Sequence, residues 1–226
     1  MKLFPDAVFC VSEKQASDYT DQGATVIEHP DTVQGSAMKY QWVLDNLEGP
    51  IFMIDDDVSK VWTHVGRVGR RITDTEAIDC LIYNAAHCAI GAGTPMFGFS
   101  QFWDVRKFRG HEPFLTGAWV GSSWGFLDRS MSFDPKILLH CDVNMSLSVL
   151  VKNRFIWRDN RFAFICDRND MPGGNSLYRS SEKEDQEQKY MLNKWGKYIT
   201  FRMGKSREIV RLNVDRRAFV SLKNIL

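Results

Sequence analysis

The sequence predicts an α/β fold, on three observations. Short apolar runs alternate with stretches of helical periodicity, the helical stretches carry polar starts and glycine stops, and one apolar run passes straight into three carboxylates. Alternation of the two periods is what a sheet covered by helices requires. The acid-ended run, Ile51-Phe52-Met53-Ile54-Asp55-Asp56-Asp57-Val58, organises the rest. Its apolar part predicts a strand buried on both faces, with the acids at the carboxyl end, where open α/β sheets bind ligands. Three adjacent carboxylates raise one another's pKa unless a cation or hydrogen-bond donors sit among them. The pattern suits Mg²⁺, which takes one or two protein carboxylates and completes its shell with water and phosphate oxygens. A solvated acidic turn is the plain alternative.

Length and composition bound the reading. The 226 residues, 44% hydrophobic, suffice for one domain, 1–226, with a sizeable core. No apolar run approaches the ~18 residues of a membrane span, and the N-terminal Met-Lys-Leu-Phe-Pro-Asp has no long apolar stretch. A cytoplasmic protein with no membrane contact is expected. Cysteines at 10, 80, 88, 141 and 166 form no CxxC pair and are odd in number, which argues against a disulfide framework or a structural zinc site. The net charge of +1 excludes a globally basic nucleic-acid binder, but from Lys194 onward nine Lys/Arg face two acids. That basic C-terminal segment is either a solvated face or a footprint for phosphates.

Taken in order, Ala7-Val8-Phe9-Cys10-Val11 predicts a first strand, and Ser12-Glu13-Lys14-Gln15 a capping box opening a helix. Ala24-Thr25-Val26-Ile27 predicts a second strand, stopped near His29-Pro30. A helix from Gln34 to Leu47 follows, with Gly35 at its start for close ligand approach and Lys39 one turn in, able to reach a phosphate or base. Beyond the acids, Gly66-Arg67-Val68-Gly69-Arg70-Arg71 reads as a mobile basic loop and a candidate lid. Asp74 to Ile90 predicts an amphipathic helix through Ile78, Leu81, Ile82, Ala85 and Ala89, with His87 and Cys88 packing. Met96–Ser100 predicts a strand. Phe102-Trp103-Asp104-Val105-Arg106-Lys107-Phe108-Arg109 mixes rings that can stack on bases with cations that can meet phosphates. Leu115 to Leu127 predicts a strand whose glycines, Gly121 among them, permit close backbone approach. Val143, Leu147 and Leu150 predict a helix beginning at or just after Asp142, which can cap it. Asn153 to Phe164 reads as a strand pair, Met171 to Ser176 as a turn or flexible loop, and Ser181-Glu182-Lys183-Glu184 as a capping box for a helix ending at Gly196. Tyr198–Phe201 and Glu208–Leu212 predict the last strands.

In order, the first strand with Ser12-Glu13, the glycine-led helix bearing Lys39, the DDD strand, the acid-led helix after Leu138-Leu139-His140, the RDNRFAF segment, the GGN turn and the WGKYI ending resemble GT-A glycosyltransferases. The resemblance is to the small TET-associated type found in phage DNA-hypermodification systems, and it covers Val8 to about Ile199. It implies a single GT-A-like domain with a mixed, mostly parallel central sheet flanked by helices. It also implies transfer of a sugar from a nucleotide-sugar donor, such as a UDP-sugar, to the hydroxyl of a 5-hydroxymethylpyrimidine (hydroxymethylcytosine or hydroxymethyluracil) in bacteriophage DNA.

On that resemblance Asp57, with Asp55, holds Mn²⁺ or Mg²⁺, Asp55 or Asp56 holds the ribose, and Ser12, Glu13, Lys39 and Gly121 border the donor. Asp142 is the base towards the acceptor. Arg67, Arg70, Arg71, Arg106 and Lys107 meet DNA phosphates, while Trp103 or Trp157 replaces the stacking of a flipped base. The chain departs from the family's pattern in having no histidine after His140 to serve as a third metal ligand. A transferase acting on protein, glycan or free nucleotide, or a non-catalytic nucleotide- or DNA-binding module, would carry the same acids.

Overall fold

A computed structural model describes residues 3–65, 68–102, 104, 108–167, 180–203 and 208–214. The chain opens with β1 (Val8–Ser12), the short α1 (Ala16–Thr20) and β2 (Thr25–His29), and β1 and β2 pair in parallel as a separate two-stranded sheet. The Ser12–Gln15 box does not form. Ser12 Oγ donates to Gln15 Oε1 at 3.2 Å and caps no backbone N–H, because the chain there turns as a 3-10 turn before the helix.

Helix α2 (Ser36–Asn46) leads into β3 (Ile51–Ile54), and the three acids turn the chain into β4 (Val58–Thr63) and β5 (Arg70–Ile72). Then come α3 (Thr75–Ala92), β6 (Met96–Ser100), β7 (Phe114–Leu115), β8 (Ser123–Phe126), α4 (Cys141–Asn153) and β9 (Trp157–Cys166). Helix α5 (Ser181–Trp195) and the antiparallel hairpin β10 (Ile199–Met203) and β11 (Glu208–Leu212) complete the described chain. The α/β class stands, as does the flanking of the sheet by helices. No helix among the described residues is long and apolar enough to cross a membrane.

The central sheet runs β3-β8-β6-β9-β4-β5, with β7 beside β9. It is mixed rather than mostly parallel, since β6 with β9 is its one parallel pairing among the described residues. Two sequence expectations fail: Leu115–Leu127 is not one strand, because β7 pairs with β9 while β8, beyond the turn at Gly121 and Ser122, pairs with β3 and β6, and Asn153–Phe164 is not a strand pair. The single long β9 pairs with β6 and β7 through its first half and with β4 through its second, shifting register between Phe99 and Ser100. Such a shift bends a strand. Arg70 and Arg71 lie exposed on the edge strand β5 rather than in a loop, because β4 supplies a ladder partner for them.

Alternation along β6 explains the two cores. Met96 faces a layer formed by Ala37 and Leu44 of α2 and Met145, Val149 and Leu150 of α4, together with Trp124 and Phe126. Phe97 and Phe99 face the other way, onto Ile78, Leu81, Ala85 and Ala89 of α3. Helix α3 is capped as its residues require: Asp74 accepts from the N–H groups of Glu76 and Ala77, and Gly93 closes it with φ 74°. His87 of α3 is exposed rather than packed. Strand β3 is only half-buried, Met53 excepted, because β8 is its sole ladder partner among the described residues.

Helix α4 is buried on nearly every side, since α5 and the β10–β11 hairpin cover the face it turns away from the sheet. The capping residue of α5 is Ser180, one before the expected Ser181, and it accepts from the Lys183 N–H. Glu187 of α5 joins the two helices. Its buried carboxylate accepts from the backbone N–H groups of Leu138, Leu139 and His140 at 2.7–3.0 Å and pairs with His140 Nδ1 at 2.8 Å. Burial works against its charge, but these donors outweigh burial and hold its pKa below the usual value. Because the folded value is depressed, this stabilisation is present at neutral pH and is lost as pH falls through the folded pKa. Glu187→Ala strands a buried imidazole and three N–H groups, and urea unfolding at neutral pH is expected to show a loss of about 3–5 kcal/mol.

Candidate active site

The acids at the end of β3 form a turn, closed by the Val58 N–H donating to the Asp55 carbonyl at 3.2 Å. This turn crosses the ends of the strands lying between β3 and β4. The Asp55 N–H donates to the Ser122 carbonyl just before β8, and the Asp57 carbonyl accepts from Asp167 N–H just after β9. The turn is therefore stretched over the mouth of the sheet, with its side chains gathered there. Asp56 is exposed, while Asp55 and Asp57 are half-buried.

Each half-buried acid has a distinct environment. Asp55 Oδ1 accepts a short hydrogen bond from the Tyr40 hydroxyl of α2, whose ring meets Trp124 edge-on at 5.2 Å. Burial pushes the Asp55 carboxyl up, partly offset by the Tyr40 hydroxyl and helped by the neighbouring Asp57 charge. Asp57 keeps one buried oxygen, Oδ1, without a hydrogen-bond partner, and its carboxylate also faces the Cys166 thiol at the end of β9. Burial, with that charge, pushes the Cys166 thiol up to about 12.

Asp142 joins this group from the other side. It is not the cap of α4, a position taken by His140, but the second residue of the helix. The reason is the Glu187 grip on residues 138–140, which starts the helix ahead of the acid. Asp142 accepts from the Val143 N–H at 2.7 Å. Its carboxyl is pushed up to about 6, chiefly by burial and further by the Asp55 charge, against the opposing pull of His140. Burial, and then the charges of Asp142 and Asp55, also raise the Cys141 thiol. Asp55 and Asp142 thus come together where burial penalises the charge of both.

Gly121 permits the convergence. A Cβ there would stand 2.6 Å from Asp142 Oδ2, so a glycine is obligatory for the carboxyl to lie where it does. The next residue, Ser122, has φ 59°, and Ser123 N–H donates to the Gly121 carbonyl at 2.7 Å, a three-residue turn of the strained type. The Ser122 carbonyl holds Asp55, and the glycine before it makes room for Asp142. One strained turn therefore positions both acids.

The remaining expected residues fall elsewhere. Ser12 bonds Gln15, Glu13 is exposed, and Lys39 lies against Cys10 of β1 rather than against the acids. Gly35 has φ 79° but packs on the Leu138 side chain, not on an open ligand space. Trp157 packs its ring on Phe114 at 4.6 Å and joins the α3 face of the sheet, so it is engaged within the fold. Arg67, Trp103, Arg106, Lys107 and the Met171–Ser176 turn lie outside the described residues. Sequence reasoning missed Tyr40, Ser122 and Cys166. Tyr40 alone had a signal, sitting beside Lys39 on the glycine-led helix.

A carboxyl held at about 6, against an ordinary 3.8, binds its proton more tightly in the folded protein than in the unfolded chain. Its contribution to stability is full below about pH 4 and is lost as pH rises through about 6, a difference of about 3 kcal/mol. Asp142→Asn is accordingly expected to stabilise the protein at pH 8 by up to about 3 kcal/mol, read by urea unfolding, with no gain at pH 4. Gly121→Ala is expected to lower stability by about 1–3 kcal/mol through the clash with the side chain at position 142, and to lower it in the Asp142→Asn background as well, since the amide fills the same space.

Comparison of the chain with protein-family models, with curated proteins and with solved structures returned no match.

Proposed function

We propose that this protein is a metal-dependent glycosyltransferase of GT-A type that moves a sugar from a nucleotide-sugar donor, a UDP-sugar first among them, to the hydroxyl of a 5-hydroxymethylpyrimidine in DNA. One observation carries the reading: a carboxyl poised near 6, Asp142, faces an acid turn in which Asp57 keeps a buried oxygen without a partner. A base near neutrality beside a crowd of uncompensated carboxylates suits proton abstraction from a hydroxyl next to a cation-bound phosphate group.

The donor set fits a hard divalent cation, Mn²⁺ or Mg²⁺. Asp57 would be the principal ligand through its unpartnered oxygen, with Asp55 second, since Tyr40 already engages one Asp55 oxygen. Among the described residues no three His, Cys, Asp or Glu side chains form a ready ligand set. Water and donor phosphate oxygens would complete the shell, as Mg²⁺ prefers. When bound, such a cation neutralises the charge that develops on a leaving nucleoside diphosphate.

The chain's own part is positioning and proton transfer. Tyr40 and the Ser122 carbonyl hold Asp55, so the acid turn keeps its shape as charge shifts across it. Asp142 takes the proton from the acceptor hydroxyl. That oxygen forms its bond to the anomeric carbon as the bond to the diphosphate breaks, and the electron pair leaves with the diphosphate. A single displacement of this kind inverts the anomeric centre. Asp142 must be ionised to act, so the rate rises with pH about a midpoint near 6.

The decisive assay incubates the protein with a panel of nucleotide sugars, Mn²⁺ or Mg²⁺, and DNA containing hydroxymethylcytosine or hydroxymethyluracil, and reads nucleoside mass. A gain of one sugar is expected, lost on Asp57→Ala and reduced about 10²–10⁴-fold in Asp142→Asn. Metal-dependent donor hydrolysis without DNA modification would assign another acceptor, such as protein, glycan or free nucleotide. Absence of both donor binding and hydrolysis would overturn the enzyme reading. Donor or DNA binding that survives Asp57→Ala and needs no metal would make the protein a binding module.

A further inference from the structure

Arg158 stands in β9 as a half-buried cation whose hydrogen-bond partners are neutral. Its Nε donates to Asn160 Oδ1 at 2.9 Å and its Nη1 to the Trp119 carbonyl at 3.0 Å. No carboxylate among the described residues pairs with it, and Nη2 makes no hydrogen bond among them. Arg161, three residues on, is held differently. It forks onto the buried Asp159 through Nε and Nη2 at 2.8–3.3 Å. Burial without a counter-charge lowers the Arg158 pKa to about 10.

Its position is internal to the sheet. Arg158 lies in register between Gly98 of β6 and Leu115 of β7, where an apolar residue would pack without the cost of a desolvated charge. Gly98 is closely covered, for a Cβ there would meet Val120 at 2.8 Å, so the residues after Trp119 cross directly over this part of the sheet. The carbonyl that Arg158 grips belongs to the segment that continues through Val120 to Gly121, on which Asp142 rests. With Cα atoms about 3.8 Å apart, Trp119 and Gly121 are separated by no more than about 8 Å. An anion held by Arg158 would therefore lie near the backbone stretch that carries Gly121, against which Asp142 packs. A guanidinium with one edge engaged by fixed oxygens and the other unpaired is pre-oriented for a phosphate.

We propose that Arg158 anchors a phosphate-binding subsite next to Asp142, with its free edge taking an oxyanion of one phosphate group. The subsite rests on the glycosyl-transfer reading and deepens it by naming the charge on the substrate that reaches Asp142. A phosphate could come from the backbone of a nucleic-acid acceptor or from the donor diphosphate. Asp55 and Asp57 would hold the cation for the donor diphosphate, whereas Arg158 grips the backbone stretch on which Asp142, the base towards the acceptor, rests, so the backbone of the acceptor is the expected source.

Two measurements test this. In the native protein, an arginine-selective dicarbonyl reagent is read at Arg158 by peptide mass spectrometry with and without inorganic pyrophosphate. Slowed labelling at Arg158, with Arg161 unaffected, is expected; an unchanged rate would overturn the subsite. This arm needs no variant and no transfer activity, so it stands apart from the enzyme reading. In the second arm, a hydroxymethylpyrimidine oligonucleotide and a nucleoside diphosphate with Mn²⁺ are titrated against native protein and Arg158→Gln. The oligonucleotide is expected to bind about tenfold more weakly to the variant, with a salt slope smaller by about 1, and Arg158→Lys to restore part of the loss. Weakening confined to the nucleoside diphosphate would overturn the backbone assignment and give the phosphate to the donor. Equal binding of both probes to native protein and Arg158→Gln would overturn the subsite. Native protein that binds neither probe would sink the glycosyl-transfer reading, while the pyrophosphate result still decides the subsite.

Discussion

The carboxylate of Glu187 is the constraint on which the placement of the acid cluster depends. It accepts from three successive backbone N–H groups and an imidazole immediately before α4. A chain entering a helix leaves its first N–H groups without intrahelical partners. Here those just before the helix are satisfied by a side chain of α5, which lies 47–49 residues further along the chain. The helix therefore starts at Cys141, and the second position, with its side chain turned to the sheet, falls to Asp142. The covering layer made by α5 and the β10–β11 hairpin is thus part of the site through its hold on the start of α4.

The second determinant is the turn Gly121-Ser122-Ser123. A positive φ at a serine is unfavourable, and a bare glycine against a carboxyl leaves no packing atom of its own. Together they bring Asp55 and Asp142, from elements far apart in sequence, to one place. The upward pKa shifts of Tyr40, Asp55, Cys141, Asp142 and Cys166 have a common cause, burial first and then the repulsion of neighbouring acids. Such an arrangement costs folding stability.

Much of the local structure was legible in the sequence. The apolar runs at 8–11, 25–27, 51–54 and 96–100 are strands, and the helices around Ala37–Leu44, Ile78–Ala89, Val143–Leu150 and Glu187–Met191 follow the spacing of their buried residues. Caps were readable only to within a residue or two. Ser180 displaced Ser181 and His140 displaced Asp142, because which polar residue caps a helix depends on where the incoming chain is held. Of the site, the three consecutive acids and Asp142 could be marked from residue type and order alone.

What the sequence by itself determined was therefore the period of each segment and the presence of unusual acids, properties that neighbouring residues settle among themselves. The tertiary structure alone decided the direction of strand pairing, the crossing of the acid turn over the sheet mouth, and the contacts of Tyr40, Ser122, Cys166 and Arg158. Each of these depends on a partner far along the chain, Asp55 for Tyr40 and Ser122, Asp57 for Cys166, Trp119 for Arg158. Hydrogen bonds and burial across such distances leave no periodicity in the sequence, since they are set by packing of the whole sheet against its helices.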